Sequence, residues 1–197
     1  MIENLLTYFS KFHPLSEEEK AIIRKGTEIS EIKKGVILLK EGVIPKDNYF
    51  IVKGCVRQYY LKDGAEKTAN FFTEEEWILP FTSVQNDGKS KYYLECLEDS
   101  HLVIANDKEG DDFLEEFPAF RKISQKILEK EIIKQQNELA KYVIQSPEQR
   151  YIDLQSNRPD LIRRIPQYQI ASYIGVKPES LSRIRKRIVD DLRSKKL

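Results

Sequence analysis

The chain has 197 residues, of which 40% are hydrophobic, 33% charged and 10% aromatic. This composition is typical of a globular protein and excludes a disordered, collagen-like or membrane-embedded chain. Lys and Arg number 33 against 32 Asp and Glu, and the net charge of +1 excludes a uniformly basic nucleic-acid coat. The two cysteines, Cys55 and Cys96, cannot build a disulfide framework, a four-thiolate zinc site or a four-thiolate iron–sulfur cluster.

The first residues break their apolar runs early and include Glu3, which predicts no signal peptide. No run of about 18 apolar residues predicts a membrane span, so we expect a cytoplasmic protein with no membrane partner. The charge is uneven along the chain. Residues 163–197 carry ten basic and three acidic side chains, a net charge of +7, which leaves −6 for the first 162 residues. This asymmetry indicates a polyanionic partner, although a solvated basic helix has the same composition.

The first predicted element is a short helix after Ser16, because Ser16 and Glu19 form a capping-box pattern. From about residue 27 to residue 105, short apolar or alternating runs are separated by turn residues such as Gly, Asn and Asp. Their spacing of roughly 8–12 residues predicts an antiparallel β-roll or jelly roll.

A long helix is predicted between Pro118, which fits a first helical turn, and Pro147. Its apolar residues follow a three/four spacing and predict one stripe: Ile123, Ile127 or Leu128, Ile132, Leu139 and Val143. A stripe this long favours helix–helix pairing between two chains. The alternative is a helix packed wholly on its own domain.

Ser146, as an N-cap, and Pro147, at the first helical position, predict the start of a new helix and a domain boundary. We therefore predict a β-roll effector or sensor domain over 1–117, a dimerisation helix over 118–145 and a DNA-binding domain over 146–197.

Residues 167–186 (QYQIASYIGVKPESLSRIRK) have the spacing of a helix-turn-helix, with Gly175 in the left-handed turn and Pro178 opening the second helix. Apolar residues on the two helices are expected to face each other: Ile170, Ala171 and Ile174 on the first, and Leu181, Ile184 and Ile188 on the second. In this motif the second helix lies in the major groove of DNA. An unrelated two-helix corner has a similar spacing, but the basic flank favours DNA binding.

The order of a β-rich domain, a long helix and a helix-turn-helix resembles the Crp/Fnr family of bacterial transcription regulators over nearly the whole chain. Residues 49–57 (YFIVKGCVR) resemble that family's sheet hairpin with its turn glycine. Residues 179–183 (ESLSR) match the Glu-x-x-Ser-Arg reading pattern of the Fnr branch. The match implies that the base-reading residues are Glu179, Ser182 and Arg183. Pro178 stands where the Crp branch carries an arginine, so that branch's guanine contact is not expected.

The resemblance implies an α+β fold, with a cyclic-nucleotide-binding-like β-roll, a long dimerisation helix and a winged-helix-like DNA domain. Few residues follow the reading helix, so the wing is expected to be short or absent. The implied partners are a second copy of the chain, a palindromic double-stranded DNA site and, as a further candidate, RNA polymerase. DNA-backbone or flanking contacts are expected from Gln167, Tyr168, Gln169, Lys177, Ser180, Arg185, Lys186 and Arg187.

The chain departs from the cyclic-nucleotide members of the family at the ligand anchors. Aligned through Trp77 and residues 96–97, their Gly-Glu pair falls near Leu79 and Pro80, and their Arg near Ser90. Proline cannot replace a carboxylate, and serine cannot replace a charged bidentate fork. We therefore expect no cofactor and no cyclic AMP binding. Residues that could line a remodelled, more apolar pocket are Trp77, Phe81, Lys91, Tyr92 and Tyr93. The alternative is that these rings simply fill the roll.

A dimeric, sequence-specific transcription regulator is thus the leading hypothesis from the sequence, and an effector-gated sensor with an unknown ligand is the alternative. An enzyme is not expected, because the chain has two histidines, His13 and His101, no H-x-H pattern and no nucleophile motif. We also predict no haem or metal site. Cys55 and Cys96 fall in predicted strands and are expected to pack as small hydrophobic residues.

Overall fold

The computed structural model describes residues 1–80 and 87–194. The helices within these residues are α1 (Ile2–Ser10), α2 (Glu17–Gly26), α3 (Asp107–Glu116), α4 (Ala119–Ile144), α5 (Pro147–Asn157), α6 (Pro159–Arg164), α7 (Gln167–Tyr173) and α8 (Pro178–Ser194). The strands are β1 (Ile29–Ile32), β2 (Ile37–Leu39), β3 (Asp47–Lys53), β4 (Val56–Lys62), β5 (Ala65–Phe72), β6 (Trp77–Ile78), β7 (Tyr93–Cys96) and β8 (Ser100–Asn106). This order confirms the predicted α+β class, with a β-roll, a long helix and a helical C-terminal region.

The strands form two four-stranded sheets, in the orders β1-β8-β3-β6 and β2-β7-β4-β5. Strand β8 pairs antiparallel with both β1 and β3, and β7 pairs antiparallel with both β2 and β4. Side chains on a strand alternate between the two faces of its sheet. In β3, Tyr49 and Ile51 face the second sheet, and Phe50 and Val52 face the helices.

Two apolar cores result from this alternation. The inner core lies between the sheets and contains Tyr49, Ile51, Val56, Phe72, Leu94, Cys96 and Leu102. The outer core lies between the first sheet and the helices and contains Leu5, Leu6, Tyr8, Ile23, Phe50, Val52, Phe120, Ile123 and Ile127. Because β3 is covered on both faces, four consecutive side chains in it are buried.

The chain divides into two compact units, one formed by Met1–Tyr60 with Asn70–Lys134 and the other by Leu61–Ala69 with Gln135–Leu197. The second unit has its own core, built from α5 to α8: Tyr151, Leu154, Leu161, Ile165, Ile170, Ile174, Leu181 and Ile184 are all buried. The domain boundaries predicted from the sequence stay predictions.

Two helix starts have the predicted N-caps, the capping box at Ser16 and the N-cap at Ser146. The Ser16 hydroxyl accepts from the Glu19 amide at 3.2 Å, and the Glu19 carboxylate accepts from the Ser16 amide at 2.7 Å. At α5, Ser146 is the N-cap and Pro147 the first helical residue, with Gln149 completing the box. None of the helices in the described residues is long and apolar enough to cross a membrane.

Candidate nucleic-acid interface

The α7–α8 corner has the geometry of a helix-turn-helix. Helix α7 ends in a turn where Gly175 has a φ of +79°, a left-handed conformation that glycine adopts without a side-chain penalty. The Val176 amide donates to the Ala171 carbonyl at 2.9 Å and the Gly175 amide to the Ser172 carbonyl at 3.1 Å, which closes the turn. Pro178 then begins α8, as the sequence predicts.

Buried apolar side chains hold the two helices of this corner together. Ile170, Ala171 and Ile174 are fully buried, and they share the core with Leu181 and Ile184. Ile188, one turn further along α8, is half-buried. The predicted inward face of the motif is therefore confirmed, and it fixes which side of α8 faces outward.

The three predicted base readers, Glu179, Ser182 and Arg183, are exposed on α8 on the side away from the core. The Arg183 guanidinium donates to the Ser180 hydroxyl at 3.2 Å, and the Ser182 hydroxyl donates to the Pro178 carbonyl at 3.2 Å. Both bonds are short-range and solvent-exposed, so they leave the side chains in reach of an approaching ligand. Their role in reading bases stays a prediction.

The flanking residues differ in what they contact. Arg185 donates to the side-chain oxygen of Gln167 at 2.8 Å, and Arg187 forms an ion pair with Glu148 at 2.8 Å. Lys177, Lys186 and Tyr168 are exposed, and Ser180 is half-buried.

Gln169 corrects one expectation for this flank. Its side chain is only 4% exposed, so it points into the second unit and not toward an external ligand. Three consecutive residues of α7, Gln169, Ile170 and Ala171, are buried, so this helix is covered on more than one face. Helix α8 continues to Ser194 as one helix, and the described residues end there.

Helix α4 does not carry the single stripe that the sequence predicts. Ile123 and Ile127 belong to the outer core of the first unit, so these two residues do not form part of an exposed pairing face. Leu128, Ile132, Leu139 and Val143 are exposed. The helix therefore presents one apolar stripe to the first unit and leaves a second one uncovered in the single chain.

Tyr142 and Glu131 are the members of these two stripes that the sequence analysis misses. Tyr142 follows Leu139 by three residues and is 53% exposed, which extends the uncovered stripe. Glu131 continues the inward stripe four residues after Ile127, and its burial raises the pKa of the carboxyl. The three/four spacing could have placed Tyr142 on the uncovered stripe. No local sequence feature indicates that Glu131 is buried.

The proposed pocket residues do not come together. Trp77 packs in the outer core against Phe9 and Phe50, whereas its neighbour Ile78 faces the inner core. Tyr93 lies on the opposite face of β7 from Leu94, and its ring stacks on Tyr59 at a centroid distance of 5.0 Å. Trp77 and Tyr93 therefore do not share a surface with Tyr92, and Lys91 is exposed.

Phe81 lies outside the described residues. Tyr92 does pack against the inner core, and its ring contacts Tyr60 edge-on at 5.8 Å. Burial raises the pKa of the Tyr92 hydroxyl to about 12. Tyr60 is a residue that the sequence analysis misses, although its position four residues after the inward-facing Val56 contains the signal.

The position aligned with the nucleotide-binding arginine holds a buried serine. The Ser90 hydroxyl donates to the Tyr92 carbonyl at 2.8 Å and accepts from the Tyr92 amide at 3.1 Å, so both of its hydrogen-bonding functions are used within its own turn. Cys55 and Cys96 are buried free thiols, and burial raises the pKa of Cys96 to about 11. No cluster of metal-binding side chains occurs among the residues that the structure describes.

Comparison with known proteins fits this architecture. Residues 29–117 match the cyclic nucleotide-binding domain family. A transcriptional regulator from Eubacterium rectale assigned to the Crp/Fnr family has a TM-score of 0.67 at 17% identity, covering 94% of this chain and 88% of that one. A CooA mutant from Carboxydothermus hydrogenoformans has a TM-score of 0.64 at 15% identity, covering 89% and 81%.

The Catabolite Activator Protein of Thermus thermophilus has a TM-score of 0.53 at 18% identity, covering 91% of this chain and 86% of that one. No curated protein sequence matches the chain significantly. Residues 29–117 are thus similar to a cyclic nucleotide-binding domain, and most of the chain shares the fold of these regulators.

Proposed function

We propose that this chain is a dimeric, sequence-specific DNA-binding transcription regulator of the Crp/Fnr type. The observation that carries the proposal is the outward face of α8, where Glu179, Ser182 and Arg183 are exposed above a buried helix-turn-helix core. The structural neighbours, which are regulators and not enzymes, support the same class.

The chemistry of this face suits the edges of base pairs in the major groove. A carboxylate such as Glu179 accepts a hydrogen bond from the cytosine amino group, and an Arg183 fork donates to the two acceptors of guanine. Lys177 and Lys186 are exposed beside these residues and suit phosphate contacts, which add affinity without reading sequence. We therefore expect affinity to fall steeply with salt.

We propose that DNA binding by this chain does not require cyclic AMP. Two features support this part: Ser90 uses both functions of its hydroxyl within its own turn, and Pro80 supplies neither a carboxylate nor an amide donor. The second candidate function is an effector-gated sensor. It is favoured by the edge-on contact of the exposed Tyr60 with Tyr92, which packs against the inner core, because an aromatic or apolar ligand would find complementary rings there.

The test is selection of the purified chain against a random duplex library, with and without cyclic AMP. We expect one palindromic sequence to be enriched equally in both arms. Enrichment only with the nucleotide would contradict the cyclic AMP part of the proposal. Salt-sensitive binding that enriches no sequence in either arm would favour the sensor and direct the search to ligands for the Tyr60–Tyr92 region.

Replacing Arg183 by alanine is expected to weaken binding of the selected palindrome by about 1–3 kcal/mol and to leave binding to unrelated DNA nearly unchanged. The reason is that a bidentate contact to guanine is lost while the phosphate contacts remain. The measurement is titration of both duplexes at one fixed salt concentration.

Lys186→Ala is the matched control on the same helix, because an exposed lysine is expected to contact phosphate. It should weaken binding to both duplexes by a similar factor and lower the salt dependence by about one counterion. Equal losses on both duplexes for Arg183→Ala would show that this arginine contacts only phosphate.

A further inference from the structure

Arg150, the fourth residue of α5, makes an unusual set of contacts inside the second unit. Its Nε and Nη2 atoms both donate to the Ile174 carbonyl, at 3.1 and 2.8 Å. Its Nη1 atom donates to the carbonyls of Tyr142 and Gln145, at 3.0 and 2.6 Å. One side chain thus joins the end of the long helix α4 to the turn of the helix-turn-helix.

These carbonyls lack the partners that a continuing helix would supply, since the last four carbonyls of a helix have no intrahelical donor. The Tyr142 carbonyl would accept from the Ser146 amide, but that amide donates to the Gln149 side chain at 2.8 Å in the capping box of α5. Ile174 ends α7, where the chain turns at Gly175. Arg150 satisfies both helix ends at once.

Two further contacts shape this arrangement. The Arg150 guanidinium lies over the Tyr142 ring, with Cζ at 4.4 Å from the ring centroid. A Cβ atom at Gly175 would lie 2.9 Å from the Tyr142 hydroxyl and 3.4 Å from Arg150 Nη2. The glycine is therefore required both by its φ and by the close approach of these side chains.

We propose that Arg150 is a positioning residue, which sets the orientation of the helix-turn-helix relative to the end of α4 and thereby the half-site spacing that a dimer accepts. This inference rests on the proposed function. Because the planar guanidinium makes four hydrogen bonds in fixed directions, it defines an angle that a flexible ammonium group does not. Arg150 acts on DNA through the placement of α8 and touches no base.

The experiment compares the full-length chain with Arg150→Lys and Arg150→Met. Affinity is measured for the selected palindrome, for the same palindrome with one base pair inserted between its half-sites, and for an unrelated duplex. The wild-type chain is expected to prefer the original spacing by at least about tenfold. In both variants that preference is expected to fall toward one, while affinity for the unrelated duplex stays within about threefold.

Arg163→Met is the control, because Arg163 is an exposed arginine of the same unit and carries the same charge. It should keep the spacing preference. An unchanged preference in folded Arg150 variants overturns the inference, and so does an equal loss on all three duplexes, which a merely structural role would give. A wild-type chain that enriches no sequence overturns the proposed function itself, so the two failures are distinct.

Gly175→Ala keeps the proposal testable if the Arg150 variants do not fold, as judged by circular dichroism. The added methyl group displaces Tyr142 and Arg150 but removes no charge and no hydrogen-bonding group. The folded Gly175→Ala chain is expected to lose spacing preference in the same direction. An unchanged preference in that variant counts against the inference.

Discussion

Replacing Gly54 by alanine is expected to destabilise the β-roll by about 3 kcal/mol or more, enough to prevent folding of a marginally stable domain. Gly54 connects β3 to β4 with a φ of +121°, a conformation that costs other residues strain. A Cβ at this position would lie 2.2 Å from the Ser100 Oγ and 2.8 Å from the Ser100 Cα. The second distance decides the size of the effect, because a Cα atom in β8 cannot move without shifting the strand.

The surroundings of Ser100 leave no space for relief. Ser100 is fully buried, and its hydroxyl donates to the Glu98 carbonyl at 2.8 Å. The Gly54 amide itself donates to the Glu74 carboxylate at 2.9 Å, so the turn is fixed on both sides. The new methyl group must therefore displace backbone, which is the costly form of overpacking.

Urea unfolding followed by circular dichroism measures the loss, with Gly35→Ala as the matched control. Gly35 also has a positive φ, +83°, but an added Cβ there would meet no atom within 4 Å. Its substitution should cost only the conformational strain, about 1 kcal/mol. Equal losses at the two glycines would show that the contact with Ser100 contributes nothing.

The helix-turn-helix could be predicted from the sequence because its signals are local. Gly175, Pro178 and the three/four spacing of the apolar residues lie within 22 residues, from Gln167 to Ile188, and each has a direct physical cause in the structure. The same holds for the capping box at Ser16 and the N-cap at Ser146. Interactions within one turn of a helix do not depend on the rest of the chain.

The location of Trp77 could not be predicted, because strand alternation says which residues share a face but not which face is the inner one. In a sheet with one face packed on the core and the other in solvent, the polar side chains show which face is exposed. Here the first sheet has the second sheet on one side and helices on the other, so Phe50 and Ile51 are equally buried. The pocket prediction placed Trp77 and Tyr92 together because the sequence does not show that they face different cores.

In helix α4, the sequence likewise shows which residues are apolar but not which of them share a face. Its inward stripe runs through Phe120, Ile123, Ile127 and Glu131, and the uncovered stripe through Leu128, Ile132, Leu139 and Tyr142. The adjacent residues Ile127 and Leu128 belong to different stripes, although the sequence offers them as alternatives for one. The polar member Glu131 further hides where the inward stripe ends.

Changing both Ile132 and Leu139 to glutamate is expected to convert the chain from a dimer to a monomer. Leu128, Ile132, Gln135, Leu139 and Tyr142 are spaced by four, three, four and three residues, the spacing of a seam between paired helices. The apolar members are 37% to 66% exposed in the single chain, so their burial requires another surface. Facing glutamates at two seam positions seven residues apart would repel each other and remain unpaired in an apolar contact.

Light scattering measures this result as a mass that falls from twice the 23.2 kDa of one chain to that value. Affinity for the selected palindrome should fall by about 10²–10⁴, because the second half-site contact loses the effective concentration that dimerisation supplies. Affinity for an isolated half-site should stay nearly constant, since the reading face of α8 is unchanged.

Ile152→Glu is the control for the Ile132 substitution, because Ile132 and Ile152 are equally exposed at 44% and Ile152 lies on α5 and not on α4. It adds one negative charge, against two for the double variant, and removes one equally exposed isoleucine, so it should keep the mass of two chains and the affinity for the palindrome. If the double variant keeps both as well, the uncovered stripe of α4 is not the dimer contact. If the wild-type chain has the mass of one chain and still selects a palindrome, each half-site must be read independently, and a paired helix has no part in recognition.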